Sequence, residues 1–199
     1  ATLVRTGYIE KTSNGYQLSL KLFQLGSTVP IKVQLRDLAR SHMHDLERIA
    51  RENIYLTVLY NDQVIAIEEV KSAHTVILNP DVIYTYPVNS CASGKILLSG
   101  LSPENLDAYI SSLEMVSKTE NSVVDKAEFK RQVLEAKKNG YAIELLEFGN
   151  HLNSIAAPIC DRDGEVIATI GISGPSMRLT ESKIMELIEP LKNSAALIT

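Results

Sequence analysis

The stretch from Ile155 to Pro175, Ile-Ala-Ala-Pro-Ile-Cys-Asp-Arg-Asp-Gly-Glu-Val-Ile-Ala-Thr-Ile-Gly-Ile-Ser-Gly-Pro, constrains this chain more than any other. Two apolar runs flank Asp161-Arg162-Asp163-Gly164, a turn signal, so the segment reads as a β-hairpin of two buried strands. The second run ends in Ser173-Gly174-Pro175, where small and hydroxyl side chains leave a gap of ligand size. A second stretch, Asn89-Ser90-Cys91-Ala92-Ser93-Gly94-Lys95, places small residues at the opening of a helix. Such a start leaves backbone N–H groups bare, and with the helix dipole they favour an anion such as a carboxylate. A tight helix start holding only water satisfies the same residues.

A chain of 199 residues holds one sizeable core, or one domain and an appendage. The composition, 45% hydrophobic and 22% charged, is that of an ordinary globular protein, and the apolar runs fall short of the roughly 20 residues of a membrane span. The first residues, Ala1 to Thr6, lack the basic start and apolar core of a signal peptide, so the expected location is cytoplasmic with no membrane partner. Cys91 and Cys160 are too few for a secreted disulfide framework and are expected as buried thiols. A formal net charge of −4 argues against a broad nucleic-acid face, so any DNA contact has to be local.

Along the chain, Thr2 to Gly7 reads as a helix end stopped by glycine, followed by strands Tyr8 to Lys11 and Tyr16 to Ser19 turned at Ser13-Asn14-Gly15. Leu18, Leu22 and Leu25 suit a helix ending at Gly26. Leu35, Leu38, His42, Leu46 and Ile49 predict an amphipathic helix over about 33–53. Strands follow at Tyr55 to Leu59 and Val64 to Ile67 around Asn61-Asp62, with a third over Lys71 to Leu78. Gly94 to Gly100 is a short apolar helix, Ser102-Pro103-Glu104 opens another, and Asp125 with Glu128 is spaced as a capping box for a helix that stops at Asn139-Gly140. Tyr141 to Phe148 returns as a strand. Thr180 caps a last helix that Pro190 should kink or interrupt. The order points to an α+β fold, an antiparallel sheet flanked by helices.

Chemistry-bearing groups are sparse. Ser93-Gly94-Lys95 fails as a phosphate loop, because Asn89 stands at the first glycine position and Ile96 replaces the magnesium-binding hydroxyl. The four histidines are scattered, and His42 and His44 point to different sides of a helix, so no metal and no cofactor is expected. Glu144 and Glu147 are three apart on a predicted strand, which puts them on opposite faces with one in solvent. If Glu144 faces the small-residue gap, it can accept hydrogen bonds from ligand hydroxyls. Ser154 and Ser173 meet if the hairpin register pairs them.

Gly7-Tyr8-Ile9-Glu10, the run Tyr16 to Gly26, the helix opening at Asn89 to Lys95 and the final hairpin together resemble the IclR family of bacterial transcriptional regulators. The resemblance implies a GAF-like effector-binding domain over 27–199, preceded over 1–26 by the tail of a winged helix-turn-helix and a linker helix. The helices that would enter the DNA major groove lie outside this chain, so DNA is expected as a partner only through that largely missing part. It implies homodimers or homotetramers, and a pocket for a small carboxylate or sugar acid formed by Ala92, Ser93, Gly94, Glu144, Ser154, Gly171 and Ser173. The chain departs from the family pattern at Asn89 for a frequent histidine, Glu144 for aspartate, Ser154 for cysteine, Gly171 for serine, Leu146 for an acid and His151 for glycine. The expected function is effector sensing without catalysis. Two other readings stand beside it: an enzyme using Cys91 or Ser93 as nucleophile, and an oligomerisation module whose pocket is plugged by Leu152 or Met177.

Overall fold

The computed structural model describes residues 2–27, 30–74 and 85–198. The chain divides into two compact units, Ala1–Asp37 and Leu38–Thr199. In the first, α1 (Thr2–Arg5) stops at Gly7, whose φ of +76° is one that side-chain-bearing residues rarely adopt. Strands β1 (Ile9–Thr12) and β2 (Gly15–Leu18) form an antiparallel hairpin joined by Ser13 and Asn14. Helix α2 (Leu20–Ser27) follows, and the Ser19 hydroxyl donates to the Gly7 carbonyl at 2.5 Å.

Helix α3 (Pro30–Ala50) buries Ala39, Met43 and Leu46 completely, the four- and three-residue spacing of one helical face. Arg51, at φ +60°, then reverses the chain into β3 (Asn53–Tyr60). The turn to β4 (Gln63–Val70) is Asn61-Asp62, both at positive φ, as a two-residue hairpin loop of right-handed twist demands. Of the third strand expected after it, Lys71 to His74 carry no strand and Thr75 to Leu78 lie outside the described residues. Strand β5 (Thr85–Pro87) leads through a 3-10 turn, Val88–Ser90, into α4 (Ala92–Ser99), which starts two residues before the predicted helix.

Two helices with the predicted caps come next. In α5 (Pro103–Ser112) the Ser102 hydroxyl accepts from the Asn105 N–H, and in α6 (Lys126–Asn139) the Asp125 carboxylate accepts from the Glu128 N–H. The reciprocal half of the capping box is not made, because the Glu128 carboxylate binds Arg131 and Gln132 instead. Gly140, at φ +71°, ends α6 as predicted. Strand β6 (Ala142–Leu145) is shorter than expected, since Leu146 at φ +59° turns the chain away. Strands β7 (Leu152–Cys160) and β8 (Val166–Pro175) form the predicted hairpin, and the Asp161 carboxylate accepts from the Asp163 and Glu165 N–H groups in its turn.

The last helix, α7 (Glu181–Ile198), runs through Pro190 without the expected interruption. The carbonyl deprived of its partner belongs to Glu186 on the exposed side, where water can take it.

The six strands β3 to β8 make one antiparallel sheet in the order β5-β4-β3-β8-β7-β6, flanked by helices as predicted. Helix α4 packs on β6, β7 and β8, and α7 packs on β7 and β8. Residues 169, 171 and 173 of β8 share the α4 face by strand alternation. Behind α4, Leu97 and Leu98 join Leu106, Ile110, Phe129 and Val133 in a core cluster.

The start of α4 is set by Gly94. A Cβ there would sit 1.9 Å from the Val88 carbonyl oxygen, which is backbone and cannot swing aside. Gly94→Ala is expected to destabilise the protein by at least about 2 kcal/mol in urea denaturation. Gly149→Ala, where the added Cβ meets only Leu152 Cβ at 3.7 Å, should stay within about 0.5 kcal/mol of the parent.

Candidate ligand-binding site

Three rungs of the sheet, all facing α4, build a floor. The first runs Glu144, Ser154, Ser173 and Asn53 across β6, β7, β8 and β3. The second runs Ala142, Ala156, Gly171 and Tyr55. The third pairs Pro158, Thr169 and Thr57. Small residues in the middle rung let the start of α4 approach, and a Cβ on Gly171 would already come within 3.3 Å of the Ile155 carbonyl oxygen and 3.5 Å of Ser93 Oγ. Between this floor and α4 lies a recess of about 450 Å³, its open mouth included.

The recess is apolar with a few polar groups, the usual make-up of a small-molecule site. Tyr55, Val64, Tyr86, Phe148, Leu152, Ile155 and Ile172 line it together with Thr57, Cys91, Ser93, Glu144, Ser154, Gly171 and Ser173. The Tyr86 and Phe148 rings meet edge to face with centroids 5.0 Å apart. Five of the seven residues singled out in the sequence, Ser93, Glu144, Ser154, Gly171 and Ser173, come together here. Ala92 and Gly94 are buried beside it and do not line it. Met177 is 90% exposed and does not plug the space, whereas Leu152 forms part of its wall.

Glu144 is 1% exposed and already engaged. Its Oε1 accepts from the backbone N–H of Glu147 at 2.6 Å and of Phe148 at 3.2 Å, and its Oε2 accepts from Ser154 Oγ at 2.8 Å. Burial pushes its pKa up to about 7; the Ser154 and backbone hydrogen bonds oppose that rise and Glu147 adds to it. The carboxyl thus closes the turn after β6 and still keeps acceptor capacity on Oε2 toward the recess.

The expectation that Glu147 or Glu144 faces solvent is overturned, because both are buried. The alternation behind it fails at Leu146, whose left-handed conformation ends β6 and swings Glu147 back under α4. There its Oε1 pairs with Lys95 Nζ at 2.6 Å, and the same ammonium donates to the Ile143 carbonyl at 3.1 Å. Thr119 and Ser122 hydroxyls donate to the carbonyls of Leu146 and Glu147, fixing the turn from outside.

Asn89 is also structural. Fully buried, it donates to the Val116 and Val123 carbonyls and accepts from the Val116 N–H, so it holds a loop and stays out of the recess. Cys91 precedes α4 without capping it, and burial pushes its thiol up to about 12, so it supplies no thiolate near neutral pH. No histidine lines the recess to serve Cys91 or Ser93 as a base.

Tyr55, Thr57 and Tyr86 were not foreseen as lining. Tyr55 and Thr57 enter only through the pairing of β3 with β8, a register that no local signal announces. The Asn53 amide donates to the Tyr55 hydroxyl at 3.2 Å, and burial keeps that phenol protonated.

A family model described as the bacterial transcriptional regulator IclR C-terminal domain matches residues 28–199. Among curated proteins, the HTH-type transcriptional regulator KdgR of Escherichia coli (strain K12) is 29% identical over 100% of this chain and 76% of its own length. The regulator KipR of Bacillus subtilis (strain 168) is 27% identical over 100% of this chain and 80% of its own. Among solved structures, Thermotoga maritima IclR superimposes with a TM-score of 0.84 at 27% identity, covering 99% of this chain and 80% of that one. An IclR homologue from Microbacterium hydrocarbonoxydans complexed with 4-hydroxybenzoate gives 0.84 at 26% identity, with the same coverage of 99% and 80%. These relatives are named as transcriptional regulators. The chain is a member of the IclR family of transcriptional regulators and carries that family's C-terminal, effector-binding domain.

Proposed function

We propose that the recess binds a small organic acid and that its occupancy controls DNA binding by the intact regulator, in the cytoplasm and as a dimer or tetramer. The observation that carries this reading is the asymmetry of the recess. At one end α4 begins without a side-chain cap, and Ser93 of its first turn lines the recess beside the positive end of the helix dipole, a place for a carboxylate. At the other end Glu144, Ser154 and Ser173 form a polar rung suited to a hydroxyl on the ligand. Between them the walls are aromatic and aliphatic, which favours an acid with a flat apolar body over a sugar acid. The 4-hydroxybenzoate in the Microbacterium hydrocarbonoxydans homologue has that pattern of groups.

Control follows from linkage. A ligand that binds one arrangement of the sensor better shifts the population toward it, by no more than its difference in affinity.

Thermal unfolding with a panel of benzoates, hydroxy acids and sugar acids tests the reading. At 100 times its Kd, a matching acid stabilises the native state by about 2.7 kcal/mol and raises the midpoint saturably. Ser173→Ala should weaken that acid several-fold and leave the unliganded midpoint in place. Glu144 also holds the turn after β6, so Glu144→Gln, which keeps an acceptor for the backbone N–H groups, is the informative change there. Unaltered affinity in both variants removes that rung from the site.

The raised pKa of Glu144 sets a pH dependence. Its carboxyl titrates near 4.5 in the unfolded chain and about 7 in the folded one, so between those values the native state holds a proton that the unfolded state has released. Stability from this group is complete below about pH 4.5 and is lost as pH rises to about 7. Relative to Glu144→Gln, the wild type should lose up to about 3 kcal/mol across that window in urea denaturation. A difference between the two proteins that stays constant with pH refutes the assignment.

A further inference from the structure

Ser93 is held by a side chain that the ligand reading does not use, Thr169, which is itself paired with Thr57. Thr169 of β8 and Thr57 of β3 are register partners, 0% and 3% exposed, and their hydroxyls lie 2.7 Å apart. Thr169 Oγ1 donates in turn to Ser93 Oγ at 2.9 Å. A hydroxyl has one proton and two acceptor sites. Thr169 spends its proton on Ser93, so the proton between the two threonines belongs to Thr57. Ser93 therefore receives a hydrogen bond, and its own proton has no acceptor among the described residues. Ser93 and Thr57 line the recess, whereas Thr169 does not.

We propose that Thr57, Thr169 and Ser93 form a hydroxyl relay that orients Ser93 to donate to the ligand, so that the start of α4 holds a carboxylate oxygen more tightly than an isolated serine would. The proposal rests on the reading of the recess as a small-acid site and names a residue that positions Ser93 there without touching the ligand, Thr169. Each bond in such a chain polarises the next, which makes the terminal donor stronger than an isolated serine. The positive end of the α4 dipole adds the same sense of charge at the same spot, which favours an oxygen anion there. Gly171 keeps the approach open, because a side chain at that position would begin 3.5 Å from Ser93 Oγ. If the three hydroxyls only satisfied one another in the core, removing Thr169's would alter stability and leave affinity alone.

A double-substitution cycle on the full chain separates the two. Affinities for benzoate and 4-hydroxybenzoate are measured by titration calorimetry on the wild type, Ser93→Ala, Thr169→Val, Thr169→Ser and the Ser93→Ala/Thr169→Val double variant. The relay predicts about tenfold weaker binding for Thr169→Val, near wild-type binding for Thr169→Ser, and no further loss from Thr169→Val once Ser93 is alanine. Equal affinity for Thr169→Val and wild type, or equal losses with and without Ser93, overturns the relay. The same variants unfolded in urea without acid give a second readout: the Thr169 to Ser93 bond requires a non-additive cycle in stability, and additive effects overturn the relay whatever the ligand. If neither these acids nor the wider panel binds the wild type, the small-acid reading itself fails. Binding with an additive cycle leaves that reading standing and removes the relay alone.

Discussion

A buried carboxylate with three hydrogen bonds is the point on which both the turn after β6 and the wall of the recess depend. Glu144 has almost no exposure to water, and an ionised carboxyl in such a place is stable only when its oxygens are occupied. Two backbone N–H groups and the Ser154 hydroxyl occupy them, and in doing so they pin the reversal at Leu146 that sends Glu147 beneath α4. The compensation is incomplete, as the elevated pKa records.

The second buried charge pair works from behind. Lys95 and Glu147 lie below the recess, one on α4 and one on the turn that Glu144 closes, so their contact ties together the two walls between which a ligand would sit. Such a pair recovers little of its desolvation cost, and Glu147 Oε2 has no partner among the described residues. A pair of apolar residues would fill the same space at less expense. What the ions add is a direct link between α4 and the turn after β6.

How much of this was legible in the sequence follows from the range of each interaction. The β7–β8 hairpin, the Ser102 and Asp125 caps and the stop at Gly140 are local, each written in a few consecutive residues, and each formed as read, whereas α4 starts two residues earlier than read. The pairing of Ser154 with Ser173 followed from the hairpin register, which a short turn sets. Tyr55 and Thr57 were invisible because their partners on β8 lie more than a hundred residues away, and a shift of one residue in that register would turn them to the other face. Glu147 was misread for a different reason. Leucine carries no signal for a left-handed conformation, so nothing in Glu144-Leu145-Leu146-Glu147 warned that the alternation would break.

The middle rung shows how the small residues fit one another. A Cβ on Gly171 would meet the Ile155 carbonyl oxygen, Ser93 Oγ and Ala156 Cβ, so its absence leaves room for Ser93 over the sheet. Ser93 Oγ accepts there from Thr169 Oγ1. At the neighbouring rung Glu144 reaches the turn N–H groups, and Ser154 supplies the donor its second oxygen requires. Ser154 and Glu144 form a matched pair, since an alanine in place of Ser154 would leave the buried Glu144 carboxyl short of a partner. A change at Glu144 or at Ser154 is therefore coupled to the other, because the two share the hydrogen bond that closes this rung.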